Sequence, residues 1–268
     1  MRVHIVGVGL LSPGLEGWAS GRAVLSGTRP FRPEALPDPE PLLLPANERR
    51  RSTASVRWAV QVAQEAVVQS GLDPTTMATV FASSGGEMGV LDQLCRALTT
   101  PERVVSPTLF HHSVHNTAAG YWGIATKCQQ SSTALSCYDD TCAAGLLEAV
   151  TFAAMEDCPV LFVSYDLPAP DPLIRARPIQ YGFATALVLM TSPLPTRVAT
   201  ATVTLGSGEC GEVTPMPDGD LERLRVDNPS ARLLPVLRAM AGKGPATVRM
   251  NVLDDQRLVV EVDADVLA

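Results

Sequence analysis

Asn116-Thr-Ala-Ala-Gly-Tyr-Trp-Gly-Ile-Ala-Thr-Lys-Cys-Gln-Gln-Ser-Ser-Thr-Ala-Leu-Ser-Cys-Tyr-Asp-Asp-Thr-Cys142 runs from a helix through a strand into a second helix. Asn116 to Lys127 predicts a helix rich in small residues: Ala118, Ala119, Gly120, Gly123 and Ala125. Small side chains let a helix approach its neighbours closely, so this helix is expected to lie buried between two layers. Ser132 to Cys137 predicts a short strand, and Thr141 to Met155 a largely apolar, buried helix. Between them Ser136 to Cys142 forms a strand-to-helix elbow with position 139 at the bend. Taken alone, Asp139 and Asp140 read as N-cap and first-turn acids, which stabilise a helix start by about 0.5–2 kcal/mol.

Outward from the elbow, strands and helices alternate. Val3 to Val8 predicts a buried first strand. Gly7 and Gly9 are not a dinucleotide fingerprint, because the third glycine would fall at Ser12. Residues 28–47 hold six prolines and read as a long surface loop. Ser52 to Ser70 predicts a helix with Val56, Ala59, Val60, Ala63, Ala66 and Val67 on one face, capped by Ser52 or Thr53 and ended by Gly71. Met77 to Ala82 is a strand, Ser83 to Gly86 a tight turn and Glu87 to Leu98 a helix. Pro159 to Tyr165 and Phe183 to Met190 are apolar strands, as expected in a sheet covered on both faces. The order argues an α/β sheet with helices on both faces. After Pro193, Val198 to Leu205 predicts a strand and Ser230 to Ala241 a helix. Thr247 to Leu253 and Arg257 to Val262 flank Asp254-Asp255-Gln256 as a hairpin. The division is a domain over 1–192 and a short helix-plus-hairpin cap over 193–268 on the same domain.

Of the 268 residues, 46% are apolar and 18% charged, enough for a substantial core. The net charge of −7 argues against a general nucleic-acid binder, which needs a dense basic face. No apolar run reaches the length of a membrane span, and the start reads as a strand rather than a signal peptide. The expectation is a soluble cytoplasmic protein. Six cysteines show neither paired nor metal-ligand spacing, so no disulfide and no metal is expected. Cys95, Cys158 and Cys210 read as small hydrophobes. His111 and His115 have helical i, i+4 spacing, but Pro107 nearby and the lack of a third acidic ligand argue against a metal site. No cofactor is implied.

The stretch Phe110 to Val150 resembles the nucleophile-bearing segment of the β-ketoacyl synthases. Asn116-Thr-Ala-Ala-Gly120 matches their Asn-x-x-Ala-Gly helix start, and Gly182 to Met190 resembles the strand that closes the first half of the thiolase fold. Glu48 to Gly71 resembles the helix after the long loop, so the match covers roughly residues 1 to 191. More narrowly, Phe110-His-His-Ser-Val-His-Asn-Thr-Ala-Ala-Gly-Tyr-Trp122 resembles the short ketosynthase-like chain-length factors of aryl polyene and xanthomonadin-type pigment clusters. The resemblance implies the N-terminal half of a thiolase-like layered fold. It places Asp139 where active synthases carry a nucleophilic cysteine, stabilised as thiolate at a helix N-terminus. Those enzymes also use two histidines from their second half. Here the four histidines are 4, 111, 112 and 115, and none follows the elbow.

By resemblance, then, the chain is a non-catalytic chain-length factor. It would pair as a heterodimer with a catalytic ketosynthase acting on chains held by an acyl carrier protein, with no nucleic acid and no membrane span involved. Phe110, His111, His112, His115, Asn116, Tyr121, Trp122, Tyr138 and Asp139 are the expected interface or tunnel residues. Arg49, Arg50 and Arg51 are the candidate contact for the acidic carrier protein. They precede a helix start, where the macrodipole disfavours cations. The strand Pro159 to Tyr165 is the one expected to pair across the dimer axis. Two alternatives stand: a stand-alone acyltransferase or thioesterase using Cys142 with His115, and a homodimeric acyl-binding module.

Overall fold

The computed structural model describes residues 1–207, 211–253 and 255–264. Cys210 and Asp254, both named above, lie outside them.

The longest strand, β1 (Arg2–Ser12), turns through Pro13-Gly14 into the short β2 (Leu15–Glu16) and then helix α1 (Trp18–Leu25). A bulge between Ile5 and Gly7 resets the alternation, so Val3, Ile5, Val8 and Leu10 share one face while Val6 points to the other. After the proline-rich loop come α2 (Ala46–Arg51) and α3 (Ala54–Ser70). Helix α3 begins where the Thr53 hydroxyl accepts the Val56 N–H at 3.2 Å. It ends at Gly71, whose φ of 68° is the left-handed cap conformation. It lies directly on β1. A Cβ at Gly7 would stand 2.0 Å from the Ala66 carbonyl oxygen, and one at Gly9 2.0 Å from that of Val62. Those glycines exist for helix–strand approach, not for a nucleotide.

Strand β3 (Ala78–Ala82) leads into α4 (Met88–Thr99), α5 (Pro107–His112) and α6 (Thr117–Thr126). Strand β4 (Ser132–Leu135) enters the elbow and α7 (Thr141–Glu156), followed by β5 (Val160–Asp166), β6 (Phe183–Met190) and β7 (Ala199–Gly206). Helices α8 (Gly219–Asp227) and α9 (Leu234–Ala241) precede the hairpin β8 (Gly244–Val252) and β9 (Gln256–Ala264). One mixed sheet runs β4-β3-β5-β6-β1-β7-β9-β8, with β4, β3 and β5 parallel. Helices α3 and α6 cover one face, and α7, α1 and α9 the other. The tail supplies the expected helix and hairpin. The hairpin joins the sheet edgewise through β7, and α9 packs against it on the α7 side.

Two expectations are corrected. Helix α6 is not sandwiched: Ala118, Tyr121 and Trp122 are buried, while Gly120 and Ile124 face outward. Strand β5 is not available for pairing across a dimer axis. It is hydrogen-bonded to β3 on one side and β6 on the other, and every one of its residues is buried. Among the described residues the sheet ends at β4, which pairs with β3, and at β8, which pairs with β9, and it is β4 that leads into the elbow.

Candidate functional site

The elbow sits where β3, β4 and β5 all end, the carboxyl side of parallel strands, which is where open α/β sheets place their sites. After β4, Tyr138 takes a φ of 52°, and Tyr138–Asp140 form one 3₁₀ turn into α7. The Thr141 hydroxyl fastens this bend. It accepts the Cys137 N–H at 2.8 Å and donates to the Tyr138 carbonyl at 2.7 Å.

Asp139 and Asp140 do not cap the helix: no side-chain capping bond is made at its start. The carboxylates meet arginines instead. Arg177 Nη1 donates to Asp139 Oδ1 at 2.7 Å, and the same guanidinium lies over the Tyr138 ring, 4.0 Å from its centroid. Arg232 reaches Asp139 Oδ2 and Asp140 Oδ1, each at 3.2 Å. Behind this layer stands Asp166, the last residue of β5 and fully enclosed. Its Oδ1 accepts from the Ser83 hydroxyl and from both the hydroxyl and the N–H of Ser84. Ser230 donates to its Oδ2. Burial pushes the Asp166 carboxyl above the usual carboxylate range, and the Ser230, Ser84 and Ser83 hydroxyls pull against it. Sequence reasoning did not single out Arg177, Arg232, Asp166 or Ser230. The one available signal was an acid closing an otherwise apolar strand.

Cys142 is fully buried in α7. Burial pushes its thiol up to about 12, with the Ser164 hydroxyl beside it opposing the shift. A nucleophilic cysteine needs the reverse, access and a lowered pKa. Its supposed partner His115 instead donates Nε2–H to the Leu135 carbonyl at 3.0 Å.

The remaining expected residues separate by burial. His112 is buried and stacks on Tyr121 at 5.8 Å between ring centroids. Burial, then the neighbouring His111, holds its pKa below the ordinary value. Tyr121 and Trp122 point into the α3 side of the core. His111 and Asn116 are exposed, and Phe110 and Tyr138 are each 64% exposed. Val114 and Ile124, not singled out from sequence, are exposed too. Arg49, Arg50 and Arg51 form the last turn of α2, the end at which a helix favours cations, which corrects the macrodipole argument. Among the described residues no three His, Cys, Asp or Glu side chains gather as metal ligands, and no helix is long and apolar enough to cross a membrane.

A mixed sheet between helical layers, with a strand-to-helix elbow at the carboxyl end of β4, defines a thiolase-like fold of the condensing-enzyme class. The family described as β-ketoacyl synthase, N-terminal domain, matches residues 26–214, and the chain belongs to it. No curated protein sequence matches significantly. A chain of the ketosynthase ApeO in complex with its chain length factor ApeC, from Xenorhabdus doucetiae, superposes with a TM-score of 0.72 at 23% identity, covering 97% of this chain and 99% of that one. A chain of the ishigamide ketosynthase/chain length factor superposes at 0.72 with 13% identity, covering 98% and 99%. The module 6 ketosynthase of the Bacillus subtilis 168 bacillaene synthase gives 0.55 at 13% identity, with 85% of this chain covering only 45% of that one. At these identities the likeness is one of fold.

Proposed function

We propose that this chain is a non-catalytic chain-length factor. It pairs with a catalytic ketosynthase in type II polyene biosynthesis of the aryl polyene kind, in the cytoplasm, on chains carried by acyl carrier protein. The carrying observation is the elbow: Asp139, which the resemblance aligns with the nucleophile, is a carboxylate tied into two ion pairs, and the Cys142 thiol one turn further on is buried. Residues 1–192 form the ketosynthase-like unit and 193–268 its cap.

The surface supports pairing. The open edge of β4 leaves backbone donors and acceptors for another chain. Exposed Phe110, Val114, Ile124 and Tyr138 belong to the segments next to that edge in sequence. Solved complexes of similar fold pair a ketosynthase with a chain length factor. The exposed Arg50 and Arg51 suit an acidic carrier protein.

Co-expression with the ketosynthase encoded beside it tests the reading. The expected result is a 1:1 complex on size exclusion, with polyene synthesis needing both chains. A monomer whose elution is unchanged by the ketosynthase would overturn it.

A further inference from the structure

Two arginines from two segments hold three consecutive elbow residues. Arg177 belongs to the connection 167–182 between β5 and β6 and grips Tyr138 by its ring and Asp139 by Oδ1. Arg232 belongs to the 3₁₀ turn Ser230–Leu233 and grips Asp139 by Oδ2 and Asp140 by Oδ1. Asp139 gives one oxygen to each. Both guanidinium side chains are largely covered, 18% and 23% exposed. Arg177 also donates to Ser84 Oγ at 3.2 Å, and Ser84 in turn donates to Asp166. Tyr138 at φ 52° holds a backbone that L-residues adopt only where their surroundings impose it.

We propose that these contacts are a clamp. Asp139 is the shared counterion that closes the connection 167–182 and the C-terminal turn 230–233 over the elbow. The residue at the nucleophile position is a tether and not a reagent, and one role of the tail is to supply the second arm of that tether. Removing the carboxylate strips both covered guanidiniums of their common partner at once. The clamp is intramolecular, so it stands whether or not the chain pairs with a ketosynthase.

Hydrogen exchange on the full chain tests it with Asp139→Asn, Arg177→Met, Arg232→Met and the Asp139→Asn/Arg177→Met double variant. Local opening sets exchange in such segments, so Asp139→Asn is expected to quicken amides of 173–182 and 230–233 roughly tenfold. Arg177→Met should loosen the first segment and Arg232→Met the second. The double variant should loosen the connection no further than Asp139→Asn alone. Exchange in α3 should stay at the wild-type rate and serves as the fold control. Wild-type exchange in both segments of Asp139→Asn, or effects of Asp139→Asn and Arg177→Met that multiply, would overturn the clamp. If Asp139→Asn also disturbs α3, the two arginine variants decide, and wild-type exchange in both overturns it.

Discussion

Ser230 donates its hydroxyl to Asp166 Oδ2 at 2.7 Å, joining the tail to the end of the central strand β5. The contact belongs to a junction of three segments. Ser83 and Ser84 bring the turn after β3, and Asn228 donates to the Asp166 carbonyl at 3.0 Å. Asn228 also accepts the Ser230 N–H at 2.9 Å. The buried carboxylate is thus surrounded by donors, and its value to the fold lies in satisfying them.

Replacing Asp166 by Ala leaves several buried donors without an acceptor, each costing about 1–3 kcal/mol. Asp166→Ala should therefore lose about 3 kcal/mol or more in urea unfolding. Asp166→Asn retains one carbonyl oxygen for the Ser83 and Ser84 donors and should lose much less. Equal losses in the two variants would show that charge, not donor satisfaction, is what matters there.

Cys142 should be chemically silent in the folded protein. With its thiol enclosed and pushed up to about 12, iodoacetamide at neutral pH should label exposed Cys95 and leave Cys142 untouched. Peptide mapping before and after unfolding in urea reads this directly. Rapid native labelling of Cys142 would revive the acyltransferase alternative.

The fold was legible wherever burial writes a period into the sequence. Helix α3 shows its apolar face, its Thr53 cap and its Gly71 stop within one window. Helix α1 was missed because Gly17 offers no side-chain cap and Gly21 interrupts its pattern, and α8 because it is mostly charged. Sheet order is less visible than strand position. Yet β5 carried a hint: a strand buried on both faces is central, not an edge. The elbow's partners were illegible for a different reason. Arg177 lies 38 residues from Asp139 and Arg232 92 residues from Asp140, and nothing local marks either arginine.

His112 predicts a pH dependence. Burial lowers its pKa from the ordinary 6.5, so below about that pH the unfolded chain binds more protons than the folded one. Stability from the neutral ring is complete above 6.5 and is lost as pH falls through the folded pKa. The adjacent His111 opposes protonation further, while the Arg51 backbone partly favours it. The melting temperature should hold above about pH 6.5, fall as the pH drops below it, and fall less in His112→Phe. Parallel curves for the two proteins would remove His112 as the cause.

Gly9→Ala should be among the most damaging single substitutions. Its Cβ would meet the Val62 carbonyl oxygen at 2.0 Å, and that oxygen belongs to the backbone of a packed helix that cannot step aside. Overpacking of this kind costs about 1–3 kcal/mol or more, so soluble yield and melting temperature should drop sharply. Gly219→Ala, with nothing within 4 Å, should be near neutral.

On the proposed pairing, length control is expected from the surface residues rather than from the buried aromatics of α6. Phe110 is 64% exposed and Val114 46%, whereas Tyr121 is 4% and lies against His112 in the core. Only the first two can extend into a neighbouring subunit without unfolding α6. Phe110→Ala co-expressed with the ketosynthase should shift the polyene length distribution. Truncating a buried interface aromatic costs about 1–4 kcal/mol, so it should also weaken the pair measurably. Tyr121→Leu should lower the melting temperature while leaving the lengths made by the surviving complex unchanged. Chromatography and mass spectrometry of the products separate these outcomes. An unchanged distribution in Phe110→Ala and Val114→Ala, with the complex intact, would confine this chain to scaffolding.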